Sequence, residues 1–229
     1  MIMSNVLILA DHDGGKVAKT AAELATLGKR VGSVTAVLLA PAGQGDALAA
    51  QLSNTEIEKV VLVESDDFSR HGIPALVDAL AQIVGAQNPK AVLVPSTARG
   101  KEVAGRLAVR IGGGVITDAV DVNSDLGATQ SVFGGSFTVS SKVKTGTPVI
   151  TVRPSAVEAS ATSVSPAIEK ISLTISDVAK LVTITGTQPA AKGGRPELTE
   201  AKIVVSGGRG TNGDFSQVEA MADLLGGAV

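Results

Sequence analysis

The chain has 229 residues, 44% of them hydrophobic, with 20 Lys+Arg against 22 Asp+Glu and a net charge of −2. That balance gives no cationic footprint for a nucleic-acid backbone, and four Phe with no Trp or Tyr leave little to stack on bases. The absence of Cys removes disulfides, thiol nucleophiles and cysteine-ligated metals, and two His, His12 and His71, make a poor metal set. The first residues, MIMSNVLILADHDGG, lack a basic segment and turn acidic at Asp11, so they read as a strand rather than a signal peptide. No apolar run is long enough to span a bilayer, and the expected compartment is the cytoplasm.

In chain order, Asn5–Ala10 is a continuous apolar run of the kind buried on both faces of a parallel sheet. Lys16–Leu27 follows with helical spacing, closed by Gly28 as a C-cap. Val31–Leu39 reads as a strand, Gly45–Leu52 as a short helix and Lys59–Val63 as a strand. Ile73–Val84 reads as a helix with Pro74 in its first turn, Ala91–Val94 as a strand, and Gly100–Ile111 as a helix. Three β-α-β crossovers in series predict a parallel sheet with helices on both faces.

Beyond Gly112-Gly113-Gly114 the period shortens. Ala119–Val122, Gln130–Phe133, Phe137–Val143 and Val149–Val152 are expected as antiparallel additions to a sheet edge. Residues 154–166 read as a connector, and the alternation at Ile171, Leu173 and Ile175, and at Leu181, Val182 and Ile184, predicts one or two further strands. A linker over 189–200 then separates residues 1–188, a three-layer α/β/α domain, from 201–229. There the βα pattern restarts with a strand over Ala201–Val205, a glycine loop and a helix over Phe215–Leu225. One strand and one helix cannot bury their apolar faces alone, so 201–229 is expected to be the start of an incomplete second, Rossmann-like α/β domain.

Three places invite chemistry. Ser206-Gly207-Gly208-Arg209-Gly210 joins a strand to a helix, and such loops offer backbone N–H groups and a helix N-terminus to an anion, with Arg209 as a clamp. It lacks both the Walker lysine and the dinucleotide glycine spacing, and a plain tight turn explains it equally. Asp11-His12-Asp13-Gly14-Gly15 leaves the first strand, where ligands of open α/β sheets gather, and either sets a His between carboxylates or forms a polar turn with Asp13 as a helix cap. Pro95-Ser96-Thr97-Ala98-Arg99-Gly100-Lys101 leaves the fourth strand, where Arg99 and Lys101 could take a phosphate, or where Ser96 and Thr97 cap the next helix on a partner-facing surface. His71 is expected on a solvated loop, and Thr117-Asp118 in a turn.

The stretch Arg195–Gly210, RPELTEAKIVVSGGRG, resembles the junction and start of the FAD-binding domain in the electron transfer flavoprotein α-subunit family. VLILADHDGGKVAKTAAELATLGKRVGSVTAVLLA and PKAVLVPSTARGKEVAGRLAVRIGGGVITD are similar to that family's N-terminal domain. The resemblance implies an electron-carrier subunit rather than a stand-alone enzyme. It implies a β subunit as partner, acyl-CoA dehydrogenase-type flavoenzymes as electron donors and a quinone oxidoreductase as acceptor, within fatty acid β-oxidation. One FAD belongs to the complete heterodimer, with Gly207, Gly208, Arg209 and Gly210 as the matching cofactor-binding positions. The family's later cofactor-binding segments have no counterpart in these residues, so the chain by itself is expected to bind the β subunit and to be colourless. A universal-stress-like nucleotide-binding module and a pure interaction scaffold are the competing readings.

Overall fold

The computed structural model describes residues 5–188, 193–198 and 201–229. Residues 189–192 and 199–200 of the expected linker therefore lie outside the described residues. The described chain divides into two compact units, 1–185 and 186–229.

In the first unit, β1 (Asn5–Leu9) is buried on both faces because its side chains alternate between two cores. Val6 and Ile8 pack with Leu24 and Leu27 of α1 (Thr20–Lys29), beyond the short strands β2 (His12–Asp13) and β3 (Lys16–Val17). Leu7 and Leu9 face the other layer. The chain continues through β4 (Ser33–Ala40), α2 (Gly45–Ala50) and β5 (Lys59–Glu64). Then come α3 (Asp67–His71), α4 (Ile73–Gln87), β6 (Ala91–Pro95) and α5 (Ala98–Arg110). Helices α1 and α2 cover one face, while α3, α4 and α5 cover the other with Phe68, Leu76, Leu80, Val103 and Leu107. Alternate burial in two cores is what lets an unbroken apolar run sit in the middle of three layers.

The remaining strands are β7 (Val115–Val122), β8 (Ala128–Val132), β9 (Phe137–Ser141), β10 (Val149–Val152) and β11 (Ala167–Lys170). The nine-stranded sheet runs β11-β5-β4-β1-β6-β10-β7-β8-β9. Pairing is parallel from β11 to β7 and antiparallel across β7-β8-β9. The mainly parallel three-layer α/β architecture with antiparallel strands at one edge is as expected from the sequence.

Several local expectations are corrected. Val149–Val152 is no edge addition: it is wholly buried and inserted in parallel between β6 and β7. Its uninterrupted VITV run is the signature of a strand covered on both faces. Helix α1 begins at Thr20, not Lys16, because Gly14 (φ +54) and Gly15 (φ +77) turn the chain so that Lys16–Val17 pairs back on His12–Asp13. Gly28 is no cap but lies inside α1, where an added Cβ would stand 3.1 Å from a Val34 methyl.

The strand expected through Ile171, Leu173 and Ile175 forms instead at Ala167–Lys170, as the far edge beside β5. The chain from Ile171 to Ile184 is a strap without regular strand, carrying a 3₁₀ turn at Asp177–Lys180. Its groups are satisfied by side chains of the helical layer. Buried Asp78 accepts the Ser176 N–H (3.0 Å) and hydroxyl (2.8 Å), and Gln82 donates to Thr174 O (3.0 Å). His71 corrects another expectation: it is 8% exposed, not solvated, and its Nδ1 donates to the Val182 carbonyl at 2.7 Å. Packing of the strap, invisible in the polar Ser69-Arg70-His71 context, covers the ring.

In the second unit the expected strand over Ala201–Val205 shrinks to a single parallel bridge, Val204 with Ala228. The bridge consists of two bonds, Val205 N–H to Ala228 O and Ala228 N–H to Ile203 O, both 2.9 Å. Helix α6 (Ser216–Leu225) connects the two sides of this bridge. Within this unit Ile203, Val204, Met221, Leu224 and Leu225 stay exposed, Leu224 at 83%. A two-segment ladder has no third strand to extend it, so it does not develop into a regular strand.

Candidate functional site

The loop before α6 is built around one tight packing. An added Cβ on Gly207 would stand 2.6 Å from the Phe215 ring and 3.1 Å from the Thr211 methyl, so the backbone must pass here without a side chain. Gly208 is extended (φ −138, ψ −156) and leads into a 3₁₀ turn at Arg209–Thr211. Thr211 locks that turn: its N–H (3.0 Å) and hydroxyl (2.9 Å) both donate to Gly208 O, and its oxygen accepts the Gly213 N–H (3.3 Å).

The outer side of the loop is open. A Cβ on Gly208 or Gly210 would meet nothing within 4 Å, and Arg209 is exposed with no side-chain partner among the described residues. Asp214 accepts the Ser216 N–H at 3.0 Å, serving the first residue of α6 from just before the N-cap residue Phe215, which makes no side-chain cap bond. Hydrogen bonds from the Ser216 side chain and backbone hold the Asp214 carboxyl below the usual carboxylate range. The helix end is thus already served by a carboxylate, which leaves the Gly208–Gly210 backbone and the Arg209 guanidinium as the groups open to an anion. Arg195 lies in the same unit and is engaged elsewhere, gripping Asp223 through Nε (2.5 Å) and Nη2 (2.9 Å).

The two loops at the carboxyl ends of β1 and β6 are closed on themselves. His12 Nε2 donates to the Leu39 carbonyl at 2.9 Å, so it carries a proton there and contacts neither neighbouring carboxylate through that atom. Asp11 pairs with Arg99 at 3.4 Å. Asp13 is exposed at the end of β2 and does not cap α1, which has no side-chain cap. In the second loop Thr97 caps α5, its oxygen accepting the Gly100 N–H at 3.0 Å.

Ser96 is turned instead to a network that local sequence did not reveal. Its hydroxyl lies 2.8 Å from an Asp118 carboxylate oxygen and 2.9 Å from the hydroxyl of fully buried Thr151. Thr151 accepts the Asp118 N–H at 3.0 Å, and Lys101 Nζ sits 2.8 Å from the same Asp118 oxygen. Asp118 is not in a turn but inside β7, at φ +59, where the register with β10 shifts. The Lys101 ammonium, against the opposing effect of burial and with help from Ser96, holds its carboxyl below the usual range. Both cations of Ser96–Lys101 therefore face carboxylates of the same unit. The phosphate loop that a nucleotide module would need is not offered by either segment.

Among the described residues no group of His, Asp and Glu forms a metal cluster, and no helix is long and apolar enough to cross a membrane. The electron transfer flavoprotein domain profile matches residues 6–176, which is most of the first unit. The electron transfer flavoprotein subunit alpha of Mycobacterium leprae is 42% identical over 99% of this chain and 72% of its own length. That of Pseudomonas aeruginosa is 34% identical over 98% of this chain and 72% of its own. The probable mitochondrial subunit alpha of Caenorhabditis elegans is 29% identical over 99% of this chain and 68% of its own. The profile covers the first unit and the relatives span nearly the whole chain, and the chain belongs to the electron transfer flavoprotein alpha-subunit family.

Proposed function

We propose that this protein is the alpha partner of a heterodimeric electron carrier, pairing with an electron transfer flavoprotein beta subunit around one FAD. In this reading residues 1–188 are the scaffold against the partner, 189–200 is a linker, and 201–229 opens the FAD-binding domain. The carrier takes electrons from acyl-CoA dehydrogenase-type flavoenzymes in the cytoplasm, within fatty acid β-oxidation, and gives them to a quinone oxidoreductase. It is a carrier and not a stand-alone enzyme.

The observation that supports this most directly is the Gly207–Gly210 loop. An unpaired guanidinium stands between two glycines whose outer sides are open, in a chain from a flavoprotein family. Bound FAD supplies the redox chemistry itself. The part of Arg209 is to hold an anionic group of the cofactor by charge-assisted hydrogen bonds, and that of Gly208 and Gly210 is to let the backbone come close. Gly207 keeps the loop seated on Phe215.

A charge-assisted contact of this kind contributes about 1.5–3 kcal/mol. Arg209→Ala in the assembled heterodimer should therefore raise the FAD dissociation constant by about ten- to a hundredfold, with Arg209→Lys recovering part of the loss. Titration of apo-heterodimer with FAD, read by flavin absorbance, measures it. An unchanged dissociation constant together with an unchanged flavin potential removes Arg209 from the site. The 229-residue chain alone, offering this single loop, is expected to bind the beta subunit and retain no flavin through gel filtration.

A further inference from the structure

Strands β8 and β9 form a ribbon at the edge of the sheet, and its tip is unusually apolar. Phe133 is 82% exposed and Phe137 is 62% exposed. The two rings hold each other edge to face, with centroids 5.9 Å apart at 78°. They are half of the chain's four Phe. Phe133 also sits at φ +52, a left-handed conformation that costs a bulky residue about 1–2 kcal/mol. A strained, solvent-facing aromatic pair has no use for the fold that presents it, and interface anchors are typically rigid aromatics of this kind.

Two more observations say what covers it. Among the described residues strand β9 pairs only with β8, so its outer N–H and C=O groups form an unpaired edge there. Another polypeptide can answer that ladder, whereas a lipid surface cannot. From Leu126 to Val157 there is no Asp or Glu, against Lys142, Lys144 and Arg153. Arg153, just after β10, reaches the ribbon by donating to Ser131 O at 2.7 Å, and Lys144 is exposed without a partner among the described residues. Lys142 is neutralised by Asp125 at 2.9 Å, so Lys144 and Arg153 are the cations left to a partner, and two copies of this face would set like charges against each other, which disfavours a second copy of this chain.

We infer that the β8–β9 ribbon is the docking surface for the beta subunit, its Phe133–Phe137 pair entering an apolar pocket flanked by carboxylates. The inference rests on the heterodimer reading and names the surface that makes it. The test compares the intact chain, Phe133→Ser/Phe137→Ser and Lys144→Glu for binding to immobilised beta subunit. The double variant should bind at least tenfold more weakly, and Lys144→Glu severalfold more weakly with a shallower salt dependence. Because both rings are exposed, the far-UV circular dichroism melt of each variant should match the parent.

If the parent chain does not bind the beta subunit, the heterodimer reading falls and takes this one with it. If the parent binds and both variants bind within twofold of it, the ribbon is not the surface while the heterodimer stands. Self-association of the parent chain that the double variant abolishes would assign the ribbon to a second copy and overturn the proposal.

Discussion

Replacing Asp78 with alanine is expected to cost the fold about 1–3 kcal/mol, the cost of leaving the donors that converge on it unsatisfied, while the 43% exposed Arg110 side chain turns to water. Asp78 is 1% exposed, and four donor groups converge on its carboxylate: the Ser176 N–H and hydroxyl, Gln82 Nε2 and the Arg110 guanidinium. Without it, the strap residue Ser176 and the α5 residue Arg110 lose their acceptor at once. Burial works to raise the Asp78 pKa, but the Ser176 bonds, Arg110 and Gln82 outweigh it and leave the pKa below its ordinary value. The sign for pH follows. A folded-state pKa below the unfolded one binds protons more weakly, so this contribution is complete above about pH 4 and fades as the pH falls further. Asp78→Asn should therefore be most destabilising near neutrality, and the gap to the parent should narrow as the pH falls from about 4 towards 2. Urea unfolding followed by circular dichroism is the suitable readout, since the chain has no Trp or Tyr for fluorescence. A pH-independent gap, or one below about 1 kcal/mol at pH 7, would show that the strap is not anchored here.

This carboxylate also marks the limit of what local sequence conveys. The runs at Asn5–Leu9, Ser33–Ala40, Lys59–Glu64 and Ala91–Pro95 declare themselves because both faces of each are covered, so the parallel half of the sheet was legible. Val149–Val152 has the same character, yet its place between β6 and β7 depends on where the chain returns after a hairpin, which periodicity does not encode. The strap after Lys170 was misread because apolar alternation at Ile171, Leu173 and Ile175 suggests a ladder, whereas tertiary partners at Asp78 and His71 satisfy its groups. Asp78 itself lies in an apolar helix, IPALVDALAQIVGAQ, and that setting was the available signal of a buried acid needing donors. The glycine loop at 207–210 was legible as a candidate, but the reason for Gly207, the ring of Phe215, is a packing fact. The ribbon aromatics were legible only as composition. A chain with four Phe that places two around Gly134-Gly135 was read as two strand ends, because nothing local says which face is solvent.

Gly100→Ala is the second large expectation, and its counterpart on the same helix gives it a sign test. An added Cβ at Gly100 would stand 1.9 Å from the Pro95 carbonyl oxygen and 3.2 Å from the Thr97 hydroxyl. The first turn of α5 is thus pressed onto the last residue of β6, and the obstacle is backbone rather than a side chain that could rotate. Relief requires α5 to back away, which would disturb the Thr97 cap on the Gly100 N–H and draw Lys101 from Asp118. Overpacking against so stiff a neighbour should cost about 3 kcal/mol. Gly105, on the same helix, has nothing within 4 Å of an added Cβ, so Gly105→Ala should stabilise by about 0.5–1 kcal/mol through helix propensity alone. Denaturation midpoints of the two variants should therefore move in opposite directions from the parent. Should Gly100→Ala prove neutral, α5 is free to slide on β6, and the Ser96–Asp118–Thr151 network cannot be the rigid closure that keeps this end of the sheet from presenting its cations to an anion.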